Sequence, residues 1–550
     1  MQSESTKVVL LGIDGAPFPQ IQQWMGEGLL PHMAAMCQSG AFGVLQSTVH
    51  PISPIAWNTL VTGQNAGKHG VYDFGKRRPG SYEFDIVNSF TRKTPALWDF
   101  LAQSGGRSGV FNVPVTYPPL AVPGYMVSGL LTPNRDSAFT YPEHLAKKIL
   151  QWSPQYRVPG EDAVFIKGKE VDFVRQLMLS IENQETVVLK LIEEYPDLDF
   201  HMFVFMQSDH LHHKLWKYIE ENRQDCAVLK AIRALYARLD EAIGKIQKKF
   251  EGQPVAFFVV SDHGGGSLER IVSLNRWLIE RGWLCLKKDF FRGVKKIIQR
   301  LKIFPRLYRI VTALGLGRAA KLLPSQWQQA IATSFTSFDN VDWTRTKAYA
   351  YGKYGQIYLN LKGREPQGCV DPGTESQELL NTLSAELLNL EDPLTQEKII
   401  RKVYRREELY HGPHAAESPD LLFAMADYRY DSSTDLGFLD HAVFRSPEFD
   451  DTGTHRLDGI LIASGEGIRR RDSLINAKAE DLAPTILSVL RRPIPAVMDG
   501  KCLADIVLPS EVPQTADYSL KSDSAIVPPE LSGKEKEEIE SRLRSLGYLG

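Results

Sequence analysis

The run Val255-Ala-Phe-Phe-Val-Val-Ser-Asp-His-Gly-Gly-Gly266 decides how the rest of the chain is read. Its first six residues are apolar without interruption and mostly β-branched or aromatic, which predicts a strand buried on both faces of a sheet. Asp262 and His263 follow where that run stops, and in an open α/β sheet ligands collect outside the carboxyl ends of the strands. The three glycines predict a sharp turn beside whatever is bound there. Asp-His after a single strand is also what an ordinary surface turn looks like. The weight of this pair comes from other segments that bring matching chemistry.

Residues 7–13 form a second buried-strand run, and it ends in Asp14-Gly15-Ala16. A third, Phe200-His-Met-Phe-Val-Phe-Met206, ends in Gln207-Ser-Asp-His-Leu-His-His213. Asp209 and His213 stand four residues apart, one helical turn, so both side chains can converge on a single ion. His210 and His212 are read as supporting or solvated neighbours. Asp451-Thr-Gly-Thr-His455 then leads into the apolar strand at 459–465, which makes His455 a late-arriving ligand candidate.

The segment from His50 to Phe74 supplies a different group. Ser53-Pro54 has the form of an N-cap and first helical position, with a short buried helix over 55–61 ending near Gly63. A helix N-terminus favours negative charge, whether on a phosphate or on a serine alkoxide acting as nucleophile.

Composition bounds these readings. The chain has 550 residues, 43% hydrophobic and 24% charged, with a formal net charge of -2. It is long enough for one large core with insertions, and nothing global draws it toward nucleic acid or an anionic membrane. The five cysteines are scattered and show no paired spacing, so a reducing compartment is expected. The N-terminus lacks a signal-peptide pattern, and no apolar run approaches a membrane span. A soluble cytoplasmic protein is the expectation.

Between the candidate groups, 18–36 and 171–194 have helical spacing. Pro- and Gly-rich loops after residue 110 make Tyr117 a candidate pocket-lining residue. Residues 267–345 read as a helical insertion, in which basic residues recur from Lys287 to Lys321 among apolar ones. This region reads as a solvated lid or cap face, or equally as a face for anionic substrates or lipid head groups, which leaves peripheral membrane contact open. From 506 to 550 the chain reads as a polar linker followed by a charged helix with a Ser532/Glu535 capping box.

Asp14, Ser53, Asp209, His213, Asp262, His263 and His455 together are what two divalent ions bridged by a nucleophile require. The ordered set Gly-Ile-Asp14-Gly, Ser53 with Val61-Thr-Gly63 and Lys68-His-Gly70, Asp209 with His213, Ser261-Asp-His-Gly264 and Gly453-Thr-His455 resembles the alkaline phosphatase superfamily. The closest branch is the type I phosphodiesterase / nucleotide pyrophosphatase family, over roughly residues 6–505. The resemblance implies an α/β fold with a mostly parallel central sheet flanked by helices and carrying an inserted helical cap. The core would be discontinuous, 6–266 and 346–505.

It further implies one ion on Asp209, His213 and His455, and another on Asp14, Asp262 and His263, with Ser53 facing both. Zinc suits these mixed ligands, and manganese would serve as well. The asparagine that commonly holds a phosphoryl oxygen in the family would fall at Ala56, which makes Asn58 the candidate substitute. The Cys/Ser-x-Pro-x-Arg pattern of sulfatase relatives is missing from Ser53-Pro-Ile-Ala-Trp57. Ile55 and Trp57, extended by Tyr72 and Phe74, are the expected apolar surface for an organic leaving group.

The expected activity is hydrolysis of phosphodiester or pyrophosphate bonds in a small phosphorylated substrate, through a phosphoserine. A phosphotransferase or mutase, a phosphomonoesterase, or a metal-stabilised binding protein would use the same residues.

Overall fold

The computed structural model describes residues 6–287, 338–433, 442–447, 450–508, 515–516 and 531–545. Most of the basic insertion, 288–337, and most of the linker, 509–530, lie outside the described residues.

The chain opens with β1 (Lys7–Ile13), α1 (Phe18–Gly26), α2 (Pro31–Ser39), β2 (Ala41–Gln46), α3 (Ser53–Thr62) and the short α4 (Ala66–His69). The hairpin β3 (Gly75–Arg77) and β4 (Phe84–Ile86) leads to α5 (Leu97–Gln103), β5 (Ser108–Val113), β6 (Gly124–Ser128) and β7 (Thr140–Tyr141). Next come α6 (Leu145–Trp152), α7 (Glu170–Glu194), β8 (Phe200–Phe205), α8 (Gln207–Glu221), α9 (Ala227–Lys249) and β9 (Val255–Val260). The helical spacing at 18–36 proves to be two helices, because Gly28 in a left-handed turn and Pro31 restart the chain between them.

Nine strands form the central sheet in the order β20-β2-β19-β9-β1-β8-β5-β6-β7, where β19 (Asp458–Gly465) and β20 (Ile475–Lys478) come late in the chain. The sheet is mostly parallel; β19 runs antiparallel to both its neighbours, and β7 runs antiparallel to β6. The apolar runs of β1, β8 and β9 are buried on both faces because two separate cores use alternate residues of each strand. Val8, Leu10, Met202, Val204, Phe258 and Val260 face α3 and α5. Val9, Leu11, Phe203, Phe205 and Val259 face α1, α2, α7, α8 and α9.

Register then fixes the site. Ile13 pairs with Phe205, and Gly12 pairs with both Val204 and Val260, so β8, β1 and β9 end at one level. The polar residues that follow them emerge along one edge.

Among the described residues a second, seven-stranded sheet draws its strands from 270–445, most of which the sequence reading assigned to the core. Its strands are β11 (Arg270–Val272), β12 (Ala348–Ala350), β13 (Gln356–Leu359), β14 (Ile400–Arg405), β15 (Leu421–Met425), β16 (Tyr430–Ser432) and β17 (Phe444–Arg445). With α10 (Leu274–Glu280) and α11 (Thr374–Leu388) it encloses its own apolar core of Trp277, Tyr349, Ile357, Leu383 and Phe423. Residues 348–445 therefore belong to the inserted layer, and the chain rejoins the central sheet only at β19. Strands of two to six residues carry too few side chains to display an alternation in sequence.

Two strands outside both sheets, β10 (Gly264–Ser267) and β18 (Gly453–Arg456), pair antiparallel beside the site. The glycines after His263 are thus strand residues, not a turn. Close approach is what they allow: a Cβ on Gly264 would sit 2.3 Å from the Asp458 carbonyl, and one on Gly266 2.3 Å from the Arg456 guanidinium. Two helices finish the chain, α12 (Leu482–Val489) and α13 (Gly533–Ser545). Among the described residues no helix is long and apolar enough to cross a membrane.

Candidate metal centre

Asp14 leaves β1 at the sheet edge, and Gly15 follows with φ +69. A side chain there would be strained, and its Cβ would lie 2.9 Å from Asp209 Oδ1. The turn is tied down by two serines that the sequence reading passed over. Ser208 donates to the Asp14 carbonyl at 2.6 Å, and the Ala16 N–H donates to Ser261 Oγ at 2.7 Å. Each serine precedes an aspartate at a strand end, in Ser208-Asp209 and Ser261-Asp262, and that repeated dipeptide was the available signal.

All seven residues singled out in the sequence are buried and meet here. The ligand atoms of Asp209, His263 and His455 lie within 4.8 Å of one another, as do those of Asp14, Asp262 and His263. His263 therefore sits in both groups, where the resemblance gave it to one. His213 joins the first group through His455, with the two Nε2 atoms 3.0 Å apart, and through Asp209 Oδ2 at 3.5 Å. The His263 and His455 rings stack with centroids 3.7 Å apart.

Ring orientation follows from the far nitrogens. His455 Nδ1 is 2.6 Å from the Pro51 carbonyl, and His263 Nδ1 is 3.0 Å from the Gly264 carbonyl. In the neutral rings both Nδ1 atoms donate, so both Nε2 lone pairs turn inward.

Asp14 Oδ1 and Asp262 Oδ2 are buried with no hydrogen-bond donor. Burial, with the charges of Asp262 and Asp209, pushes the Asp14 carboxyl well above its usual range. Burial also raises Asp262, to about 6, although His263 opposes it. Asp209 goes the other way: burial would raise it, but His213 and His455 more than offset that and hold it well below the usual range. Burial pushes His455 well down, reinforced by His263. Orphaned carboxylate oxygens among inward imidazole lone pairs form a donor set that fits divalent cations.

Ser53 is fully buried, with its Oγ 3.3 Å from His263 Nε2. It is the first residue of α3 rather than its N-cap. Ile52 occupies the cap, and Pro54 takes the second helical position, where no N–H is needed.

The three candidate substrate contacts are placed elsewhere. Trp57 is fully buried, and its indole N–H donates to Asp14 Oδ2 at 2.7 Å, so it holds a carboxylate instead of offering a platform. Asn58 donates to the Pro54 carbonyl at 2.7 Å inside its own helix. Tyr117 feels the charge of Glu535 on α13, on the side where the last helix docks. Ile55 and Phe74 are core residues, and Tyr72 donates to the His414 carbonyl. Of the two histidines left as neighbours, His212 is 2.8 Å from the Tyr236 hydroxyl, and His210 faces Asp162 at 3.4 Å.

Comparison with known proteins agrees with this architecture. The murine ectonucleotide pyrophosphatase / phosphodiesterase 5 aligns with a TM-score of 0.51 at 14% identity, covering 92% of this chain and 100% of that one. The phosphonoacetate hydrolase from Sinorhizobium meliloti 1021, in complex with phosphonoacetate, aligns with a TM-score of 0.48 at 13% identity, covering 88% and 96%. At 14% identity the likeness to the first speaks of fold alone. A search of curated proteins found no significant match. The family model for type I phosphodiesterase / nucleotide pyrophosphatase matches residues 8–438, well over half of the chain. The chain belongs to the type I phosphodiesterase / nucleotide pyrophosphatase family, within the alkaline phosphatase superfamily, and is a phosphohydrolase.

Proposed function

We propose that this enzyme cleaves phosphodiester or pyrophosphate bonds of a small organic phosphate, with Ser53 as nucleophile, at a centre of two divalent cations. The position of Ser53 Oγ carries the reading: it lies at the start of α3, 3.3 Å from Nε2 of His263, the residue common to both donor groups. Asp209, His213 and His455 would hold one cation and Asp14, Asp262 and His263 the other. Zinc suits this set, and manganese shares its preferences. Such cations supply Lewis-acid polarisation of phosphoryl oxygens and favour the serine alkoxide.

The chain's own residues prepare the rest. The dipole of α3 favours negative charge at Ser53. Trp57 occupies one oxygen of Asp14 and leaves the other turned inward. Ser53 Oγ bonds to phosphorus as the bond to the leaving group breaks, and water then attacks the phosphoserine to free Ser53 and the remaining phosphoryl product. Diester preference draws on family membership, since Ile55 and Trp57 are core residues and offer no leaving-group surface. Five unpaired cysteines support a reducing, cytoplasmic setting.

The test uses one metal-loaded preparation with a nitrophenyl diester and the matching monoester. The diester should have the higher kcat/KM. A tenfold advantage for the monoester, about 1.4 kcal/mol of transition-state discrimination, would overturn the diesterase reading. Ser53→Ala should retain its metal and lose turnover by roughly 10³-fold or more. Activity within a few-fold of wild type would remove Ser53 from the nucleophile's role.

A further inference from the structure

The loop at 352–355 joins β12 to β13 in the inserted sheet, yet its contacts are with the metal centre. Tyr354 is fully buried. Its hydroxyl pairs with Thr454 Oγ1 at 2.8 Å and accepts the backbone N–H of His455 at 3.2 Å. The next residue reaches the segment before the nucleophile: the Gly355 carbonyl is 3.2 Å from His50 Nε2. The Tyr428 hydroxyl, also from the insertion, is 3.3 Å from His50 Nδ1. Burial pushes His50 down to about 3, so its ring is neutral, donating to Gly355 and accepting from Tyr428. Between His50 and Ser53 lies Pro51, whose carbonyl accepts from His455 Nδ1. One loop thus grips both the ligand-bearing strand and the approach to Ser53.

The loop is anchored in turn. Asp431 Oδ1 accepts the Tyr354 N–H at 3.2 Å, and its Oδ2 lies 3.2 Å from Lys353 Nζ. Asp73 accepts the Lys353 N–H at 3.2 Å and the Gln356 amide at 2.7 Å.

We propose that Tyr354 is a positioning residue for His455, which makes the inserted sheet a working part of the metal centre and not merely a layer over it. The proposal rests on His455 being a metal ligand, as read above. With Nδ1 fixed by Pro51 and the backbone fixed by Tyr354, the His455 Nε2 lone pair has one direction. Without the hydroxyl, a buried N–H loses its acceptor and the ligand strand can shift. Partners of this kind tune metal affinity by about 10- to 100-fold when removed.

The experiment measures zinc affinity of the full chain by competition with a chromophoric chelator, alongside melting of the metal-free protein. Tyr354→Phe should bind its tightest zinc about tenfold more weakly while remaining folded. Asp431→Asn, which touches neither His455 nor Ser53, should shift affinity in the same direction. Wild-type zinc affinity in both variants, with an ion lost in His455→Ala, would overturn the positioning role and leave the metal reading intact. A wild-type chain that binds no zinc and no manganese would instead remove the metal reading on which the proposal stands.

Discussion

Asp14 and Asp209 share a side chain and a site, yet burial drives one carboxyl up and the imidazoles of His213 and His455 hold the other down. The same competition between burial and neighbours governs residues far from the chemistry. His201 on β8 lies among Phe203, Phe250 and Tyr125, and its Nε2 has no hydrogen-bond partner. Burial, aided by the Lys7 charge, pushes it from 6.5 down to about 3. As pH falls below 6.5 the unfolded chain takes up this proton while the folded one does not. The stability His201 allows is therefore complete above pH 6.5 and is lost progressively toward pH 3. Unfolding by urea at pH 7.5 and pH 5 should show a smaller pH difference in His201→Phe than in wild type, by about 2 kcal/mol at 1.36 kcal/mol per unit. Equal differences would show that His201 is protonated in the fold. At this scale the sequence was informative where chemistry forces a residue type, as in the candidate ligand set, and silent where partners come from afar. Nothing near Trp57 in sequence announces Asp14, and Tyr354 lies 101 residues from the histidine it touches.

Elements repeat this division. β1, β8 and β9 were legible because strands buried on both faces need unbroken apolar runs, and the polar residues ending them mark the sheet edge. The inserted sheet was not, since its pairings connect short strands far apart in the chain, such as β11 with β16. The contact of β1 with α3 shows what a legible element still conceals. Gly12 faces α3, and a Cβ there would lie 2.5 Å from Trp57 Cη2 and 3.0 Å from Val204 Cγ2. An indole in a full core cannot step aside freely. Gly12→Ala should cost about 1–3 kcal/mol through overpacking, and by displacing Trp57 it should also weaken metal binding at Asp14. Chemical denaturation of the metal-free protein reads the first effect, and chelator competition reads the second. Unchanged values in both would mean that the indole yields without loss.

Two attachments hold the whole molecule to this arrangement. The first is the β3–β4 hairpin, which stacks Tyr82 on Trp343 with centroids 3.5 Å apart and Phe84 on Tyr351 at 3.4 Å, and joins Arg77 to Glu365 at 2.8 Å. It leaves the central layer soon after α3 and ends in the core of the inserted sheet. The second is α13. Its start was legible in the reciprocal Ser532 and Glu535 contacts, at 2.9 Å and 3.3 Å. Its docking was not, because a helix so rich in charge reads as solvated on every face. Ile539 and Leu543, one turn apart, nevertheless enter the same apolar core as Trp57 and Met202. Between them Arg542 donates to the carbonyls of Thr132, Pro133 and Pro159 and lies 3.3 Å from Glu161. Those carbonyls belong to connections without sheet partners, so the guanidinium satisfies groups that would otherwise be buried alone. α13 is accordingly a structural member of the core. Ile539→Ala and Leu543→Ala should each destabilise the chain by about 2–5 kcal/mol. Arg542→Lys should not restore full stability, since an ammonium cannot reproduce the planar fork of donors. Urea unfolding followed by tryptophan fluorescence measures all three. If a chain ending before residue 531 unfolds at the wild-type midpoint, α13 contributes nothing to the fold.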